Sequence, residues 1–269
     1  MTAVGGLVHA RMTSERLPGK PLEEICGRAA ILHIVDRMLA CSYLALDRIV
    51  VCTTTDPRDD RLADAVAAAE ARVFRGSTHD VVDRLYSAAA AHGFDAVVQV
   101  DGDDLCADPG YMDRVLETLL SGPELDVVLV KGLPLGLATK AIRFSALERV
   151  HDAYLPGDNS TGVFSYFTRS GLCRVGEIQA APEHRLDAAR LTLDEPEDLE
   201  LFRQVFAALH RPGSVFAVEE IVALLTERPE LVSINAGLTG AYYTRSDEHI
   251  RRERLRFRTP EGIREVEAA

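Results

Sequence analysis

Short apolar runs alternate with amphipathic stretches over the first 120 residues. Residues 4–8, Val-Gly-Gly-Leu-Val, carry no polar side chain and predict a first strand. Ile31, Ile34, Val35, Met38 and Leu39 then recur at i, i+3, i+4, i+7 and i+8, the stripe of an amphipathic helix. A β-branched run over 47–54 ends at Asp56-Pro57, a turn signal. An alanine-dense helix follows over 58–71, then a brief strand at 72–74 and a polar connection over 75–80. The next helix places Val82, Leu85, Tyr86 and Ala89 on one face. Residues 95–100 form a further buried strand, closed by Asp101-Gly102-Asp103-Asp104, and Pro109 opens a helix through Val115, Leu116 and Leu119. Strands alternating with helices in this way predict right-handed βαβ units, a mainly parallel central sheet and the α/β fold class.

The pattern loosens over 123–190. Residues 126–130 and 162–168 read as strands and 141–150 as a mixed segment, joined by loops rather than full helices. Such spacing suggests an inserted substrate-side lobe, or antiparallel strands. Residues 190–193 read as a final short strand, closed by Asp194-Glu195-Pro196-Glu197-Asp198, and the helix after it carries Leu199, Leu201, Phe202 and Phe206. Beyond Pro212-Gly213 a helix near 218–226 precedes an arginine-rich end with Arg251, Arg252, Arg254, Arg256 and Arg258. The chain divides into a main domain over 1–210, with 123–190 as its lobe, and a helical or extended appendage over 211–269.

Composition narrows the partners. A chain of 269 residues can bury a sizeable core. Its formal net charge of -12 argues against a nucleic-acid-coating surface, so the arginine-rich end reads as a solvated or oligomer-facing element. Cys26, Cys41, Cys52, Cys106 and Cys173 form no C-x-x-C pair and no even framework, as expected of reduced thiols in a cytoplasmic protein. We read no signal peptide at the N-terminus and no uncharged apolar run long enough for a membrane span.

The segment from Ala10 to Lys20 leaves the carboxyl end of the first strand, where an open α/β sheet places its ligand. Arg11, Arg16 and Lys20, with Ser14 and Gly19, suit a polyphosphate: three cations neutralise it and a glycine lets the backbone approach. A solvated loop is the other reading. Neither G-x-x-x-x-G-K-[ST] nor G-x-G-x-x-G occurs there. Asp101, Asp103 and Asp104 crowd a strand end, and a cation such as Mg²⁺ would keep them all ionised; turn and cap roles are the alternative. Asp194 would complete a metal pair or cap the next helix, Asp198 fits the cap better, and Glu195 and Glu197 are expected to face solvent. Arg75, Gly76, Ser77, Asp80, Asp83 and Arg84 would touch a base or ribose, unless Asp80 and Arg84 pair along the helix start. His9 and His79 lie nearest these loops, though a structural role suits each better, and no G-x-S-x-G elbow supports a serine nucleophile.

With these residues located, the chain resembles the sugar-activating cytidylyltransferases, which include the enzymes that make CMP-3-deoxy-manno-octulosonate and CMP-sialic acids. The nearest pattern is the branch of spore-coat polysaccharide biosynthesis protein F. The resemblance rests on Ala10-Arg11-Met12-x-Ser14-x-Arg16-Leu17-Pro18-Gly19-Lys20-Pro21-Leu22 and on Phe74-Arg75-Gly76-Ser77 with Asp80-Val81-Val82-Asp83-Arg84. It continues through Gly102-Asp103 with Asp108-Pro109 to Arg190-Leu191-Thr192-Leu193-Asp194-Glu195-Pro196-Glu197-Asp198-Leu199. Four motifs in register are specific where one would be weak.

The resemblance implies a GT-A-like, Rossmann-related nucleotidyltransferase fold, CTP as substrate, Mg²⁺ as cofactor, a small sugar-like acceptor and a homodimer. Arg11, Lys20 and Asp103 would carry the chemistry, with Asp103 and Asp194 as metal ligands. Ala10, Met12, Ser14, Arg16 and Asp101 would line the nucleotide, and Arg75, Gly76, Ser77 and Arg84 would lie near the cytosine. The acceptor half departs from the pattern: Gly136-Leu137-Ala138-Thr139-Lys140 stands where this branch commonly has Gly-Leu-Asp-x-Glu, and Asp158-Asn159-Ser160-Thr161-Gly162 replaces Arg-Glu-His-x-Thr-Pro. Glu15 also sits where a small residue is usual. Two other functions are open at this point. One is a glycosyltransferase using Asp101-Gly102-Asp103 as a D-x-D motif; the other is a non-catalytic binder that kept the CTP half.

Overall fold

The computed structural model describes residues 2–155, 163–252, 255–259 and 261–266. In the first half, β1 (Val4–His9) leads to a small ribbon of β2 (Glu24–Ile25) and β3 (Arg28–Ala29), then to α1 (Ala30–Leu39), β4 (Ile49–Thr54) and α2 (Asp60–Ala68). β5 (Arg72–Gly76), α3 (Val81–His92), β6 (Ala96–Asp101) and α4 (Pro109–Leu120) follow. The second half adds β7 (Val127–Lys131), β8 (Lys140–Arg143), α5 (Phe144–Ala153), α6 (Ser165–Thr168) and β9 (Val175–Gln179). After these come α7 (Pro196–Leu209), α8 (Val218–Glu227), α9 (Pro229–Ser233), α10 (Leu238–Arg252) and a hairpin of β10 (Leu255–Thr259) with β11 (Gly262–Val266).

Seven strands form one sheet in the order β5-β4-β1-β6-β8-β7-β9. β8 runs antiparallel to both its neighbours and every other pairing is parallel. Helices cover both faces, which is why the central strands read as continuous apolar runs. Successive side chains serve opposite layers: Val4 and Val8 join the core under α1, α2, α4 and α7, while Leu7 joins the core under α3 and α5. The helix starts follow from local chemistry. Asp80 accepts from the Asp83 amide at 2.9 Å to cap α3, and Asp108 accepts from the Tyr111 amide at 3.0 Å to cap α4 ahead of Pro109. The second Asp108 oxygen accepts from the Val218 amide at 3.0 Å, so one aspartate seats two helices.

Three sequence expectations change here. Residues 163–168 are a turn and α6 rather than a strand; with Val163, Tyr166 and Phe167 all buried, the apolar run fits a short helix as well as a strand. Residues 190–193 form no ladder: Arg190 makes a single parallel bridge to Leu135, and the extended segment hydrogen-bonds instead from Leu191 to Leu135 and from Leu193 to Asp103. β9 was not expected, because Val-Gly-Glu-Ile-Gln lies at the sheet edge and is only half-buried. Residues 123–190 supply β7, β8 and β9 to the common sheet. Residues 158–162 and Arg254 lie outside the described residues. No helix among the described residues is long and apolar enough to cross a membrane.

Gly136 turns the chain toward the site with φ of 94°, and a Cβ there would lie 1.9 Å from the Leu191 carbonyl oxygen. Gly213 has φ of 78° and nothing within 4 Å. Backbone strain and clash therefore separate. Gly136→Ala is expected to lower unfolding free energy by about 3 kcal/mol in urea titrations, against about 1 kcal/mol for Gly213→Ala. Equal losses would show that the Leu191 contact is not tight.

Candidate active site

β1, β4, β5 and β6 are parallel and end at one edge of the sheet, the position an open α/β sheet gives its ligand. The 10–20 loop there is a pinned turn. The Ala10 amide donates to the Cys52 carbonyl at 3.2 Å, the Met12 amide to Asp59 Oδ1 at 2.7 Å, and the Gly19 amide to the Met12 carbonyl at 3.0 Å. Gly19 takes a left-handed φ of 81°, and Ser14 Oγ accepts from the Leu17 amide at 3.5 Å. Asp59, buried, also accepts from Thr54, so it ties this loop to the end of β4. Sequence reading missed Asp59, whose one signal was its place at a helix start. The solvated-loop reading fits poorly with so many fixed amides.

Lys20 reaches out of this loop and lies between two carboxylates. Its Nζ donates to Asp103 Oδ2 at 2.7 Å and to Asp194 Oδ1 at 3.0 Å. Arg16 pairs with the same Asp194 oxygen at 3.0 Å and with Glu195 at 2.9 Å. Glu195 is thus a half-buried partner rather than a solvent-facing carboxylate. The sequence expectation failed because Arg16 is distant along the chain. Burial alone would lower the Lys20 ammonium, but Asp103 and Asp194 together raise it above its usual value. Burial would raise Asp194, yet Lys20 and Arg16 hold it below the usual carboxylate range. Asp103 ends up raised: burial and the like charges of Asp194 and Asp101 outweigh Lys20. The cluster therefore has room for more positive charge.

Two hard oxygens that already converge on one ammonium fit a small divalent cation, which takes a carboxylate or two and fills the rest with water and phosphate. Among the described residues no group of three or more His, Cys, Asp or Glu is arranged to hold a metal by itself. Asp104 is buried and pushed well up, first by burial and then by Asp103 and Asp101. Asp101 faces elsewhere. Its oxygens accept from Lys140 at 2.8 Å and Gln99 at 2.8 Å, and His9 lies 3.7 Å away. The two carboxylates of Asp101-Gly102-Asp103 thus meet different cations, and Asp103 is paired with Asp194 instead. That division disfavours the D-x-D reading. Gly102 makes it possible, since a Cβ there would lie 2.5 Å from the His9 carbonyl oxygen.

In the Arg75 to Arg84 stretch both guanidinium groups are tied to the protein's own backbone. Arg75 donates to the Thr54 carbonyl at 2.8 Å, the Asp56 carbonyl at 2.8 Å and Asp60 at 2.6 Å, so its guanidinium braces the loop after β4. Arg84 is buried and donates to the Ser77 carbonyl at 2.9 Å, which fixes the turn that presents Ser77. Gly76 packs against the Arg84 stem. By contrast Arg11 is half-buried with no ion pair among the described residues. His79 is exposed, while His9, its pKa pushed down to about 4 chiefly by burial, stays neutral beside Gln99.

The far wall joins Arg190 and Asp198, from the fourth motif, to α10 and the turn before it, which carried no motif. Arg190, fully buried, bonds Asp194 at 3.2 Å and Asp198 at 2.9 Å and 3.0 Å. Asn235 donates to Asp198 at 2.7 Å, the Tyr242 ring covers the Arg190 guanidinium at 4.8 Å, and Arg245 joins Glu195 at 3.3 Å. Burial, followed by Asp104, Asp103, Asp101 and Asp194, raises the Tyr242 phenol above its ordinary value. Nothing local in the sequence connects Asn235, Tyr242 or Arg245 to the site.

Known proteins resemble this chain in sequence and in fold. The chain is 26% identical over 244 residues to an uncharacterised protein of Methanocaldococcus jannaschii, covering 90% of this chain and 98% of that one. It is 26% identical over 228 residues to the spore coat polysaccharide biosynthesis protein SpsF of Bacillus subtilis, covering 83% and 94%. A 3-deoxy-manno-octulosonate cytidylyltransferase of Brucella anthropi is 38% identical over 122 residues, 44% of this chain and 47% of the other. In three dimensions a cytidylyltransferase from Leptospira borgpetersenii superposes with a TM-score of 0.77 at 20% identity, over 86% of this chain and 97% of that one. CMP:2-keto-3-deoxy-manno-octonic acid synthetase in complex with CTP superposes with a TM-score of 0.59 at 21% identity, over 77% and 99%. The family model for cytidylyltransferases matches residues 6–224. The chain therefore belongs to the cytidylyltransferase family, CTP-dependent nucleotidyltransferases by class.

Proposed function

We propose that the protein transfers CMP from CTP to an oxygen of a small sugar acid or related sugar, releasing pyrophosphate, with Mg²⁺ at Asp103 and Asp194. The observation that carries this reading is the convergence of Lys20, Arg16, Asp103 and Asp194 at the open end of the parallel strands. An acceptor oxygen attacks the α-phosphorus of CTP; the new P–O bond forms as the bond to the β-phosphate oxygen breaks, and pyrophosphate leaves. Such transfers need little covalent help from protein, so positioning and charge neutralisation supply the rate. Mg²⁺ held there would draw negative charge from the phosphates and ease deprotonation of the acceptor. Lys20 and Arg16, now resting on the carboxylates, would turn to the phosphates and take up charge developing on pyrophosphate. Arg11 would meet the phosphates from the loop, and the Ser77 turn would face the base.

A sugar-type acceptor is supported by what the relatives are called: one is named for 3-deoxy-manno-octulosonate, a sugar acid, and one for spore coat polysaccharide biosynthesis. Lys140, a cation held by Asp101 and set over the Phe164 ring at 5.0 Å, gives the acceptor half its own character.

Pyrophosphate release is expected with CTP but not with UTP, ATP or GTP, against a panel of sugars, sugar acids and sugar phosphates, and EDTA is expected to abolish it. CTP that binds and never turns over across that panel would favour the non-catalytic binder. In a second experiment, Asp103→Asn and Lys20→Ala are expected to slow release at least about 10²-fold, the scale of one lost electrostatic contact in a preorganised site. Each variant should still unfold cooperatively. Asp103→Asn at near-wild-type rate would remove Asp103 from the reaction.

A further inference from the structure

We propose that Asn235, in the turn between α9 and α10, is a positioning residue for the cation end of the site, acting through Asp198 and Arg190 on Asp194. The inference rests on the reading above that Asp194 holds a divalent cation. Asn235 lies outside residues 6–224, the stretch that matches the family model.

The geometry is a buried relay. Asn235 and Arg190 are both buried, and Asp198 has no exposed surface. The Asn235 amide nitrogen donates to the Arg190 carbonyl at 3.0 Å and to Asp198 Oδ1 at 2.7 Å. Both partners are pure acceptors, so only the NH₂ end of the amide can face them. Asp198 Oδ1 also accepts from Arg190 Nε at 2.9 Å, while Asp198 Oδ2 accepts from the Arg190 guanidinium at 3.0 Å and from the amides of Asp194 and Glu195 at 2.9 Å each. Asn235 therefore holds Arg190 at both ends, directly at its carbonyl and through Asp198 at its guanidinium.

Arg190 in turn fixes Asp194. Its guanidinium occupies Asp194 Oδ2 at 3.2 Å, which leaves Oδ1 to face Lys20 and Arg16. A carboxylate free to rotate would present either oxygen; this one presents Oδ1 toward Asp103. Outer partners of this kind orient a ligand before the cation arrives, and losing one typically lowers metal affinity about 10–100-fold. Asn235 is suited to the task because it is uncharged. It adds two hydrogen bonds to the buried Arg190–Asp198 pair without adding a charge.

The test uses the full chain, CTP and Mn²⁺. Mn²⁺ binding to the CTP complex is measured by electron paramagnetic resonance of the free ion, CTP affinity in EDTA by calorimetry, and stability by thermal melting. Two variants are compared with the unaltered protein: Asn235→Leu, which keeps the branched shape and removes both donors, and Asn235→Ser, which is smaller and polar and guards against a misfolded leucine variant. Mn²⁺ affinity is expected to fall about tenfold in each folded variant, with CTP affinity in EDTA unchanged. A purely structural role would lower the melting temperature and leave the Mn²⁺ affinity where it was, and that result overturns the proposal. If the unaltered protein itself binds CTP no better with Mn²⁺ than in EDTA, the cation reading falls and the inference falls with it.

Discussion

The ammonium of Lys20 is shared by two carboxylates far apart along the chain, Asp103 and Asp194, and much of the structure around the site is arranged to keep that group satisfied. Buried charges are tolerated only when their partners and remaining hydrogen bonds are supplied, and removing one partner leaves the other exposed to the full desolvation penalty. Asp103 stays beside Asp194 because the Leu193 amide donates to the Asp103 carbonyl at 2.9 Å, a main-chain tie independent of either side chain. Arg190, Asp198 and Asn235 then hold the far carboxylate from behind. The extended 190–194 segment makes no sheet ladder for this reason: its amides serve the loops on either side, which is where the acidic residues must be presented.

The same logic divides the acidic cluster by role. Asp194 is held low by two cations, Asp101 is held low by Lys140, His9 and Gln99 despite its burial, and Asp103 and Asp104 are pushed up by burial among like charges. Four aspartates of one kind therefore occupy different electrostatic positions, set by their neighbours. On the opposite face the thiol of Cys52 is pushed up to about 12, mainly by burial, as expected of a core residue rather than a nucleophile. The seven-stranded sheet gives the charges a rigid floor, and a glycine at each close crossing lets loops pass within backbone distance of one another.

The catalytic half and the supporting half differ in how they were found. The candidate site residues lie in short motifs at strand ends; of the groups that brace them, Arg190 and Asp198 flank Asp194 in the same motif, while Asn235, Tyr242 and Arg245 come from α10 and the turn before it. Arg75 and Arg84 mark the boundary. Their residue type and spacing suggested a base-binding role, yet their guanidinium groups are turned to the Thr54, Asp56 and Ser77 carbonyls, where they shape the loops.

What the sequence determined by itself is the alternation that makes an α/β sheet, the cationic loop after β1, and the candidacy of Asp103 and Asp194. Those are local matters: apolar period, capping residues and charge at strand ends act within a few residues of chain. The antiparallel β8, the edge strand β9 and the short α6 were less legible because each is short or half-buried and carries little periodic signal. Only the tertiary structure decided which charges meet. Lys20 and Asp194 are separated by 174 residues, and Asp198 and Asn235 by 37, so their pairing depends on how the sheet returns the chain to one edge and on the packing that aims each side chain. Residue type announces that a carboxylate or guanidinium is available; its direction, partner and protonation follow from the folded neighbourhood.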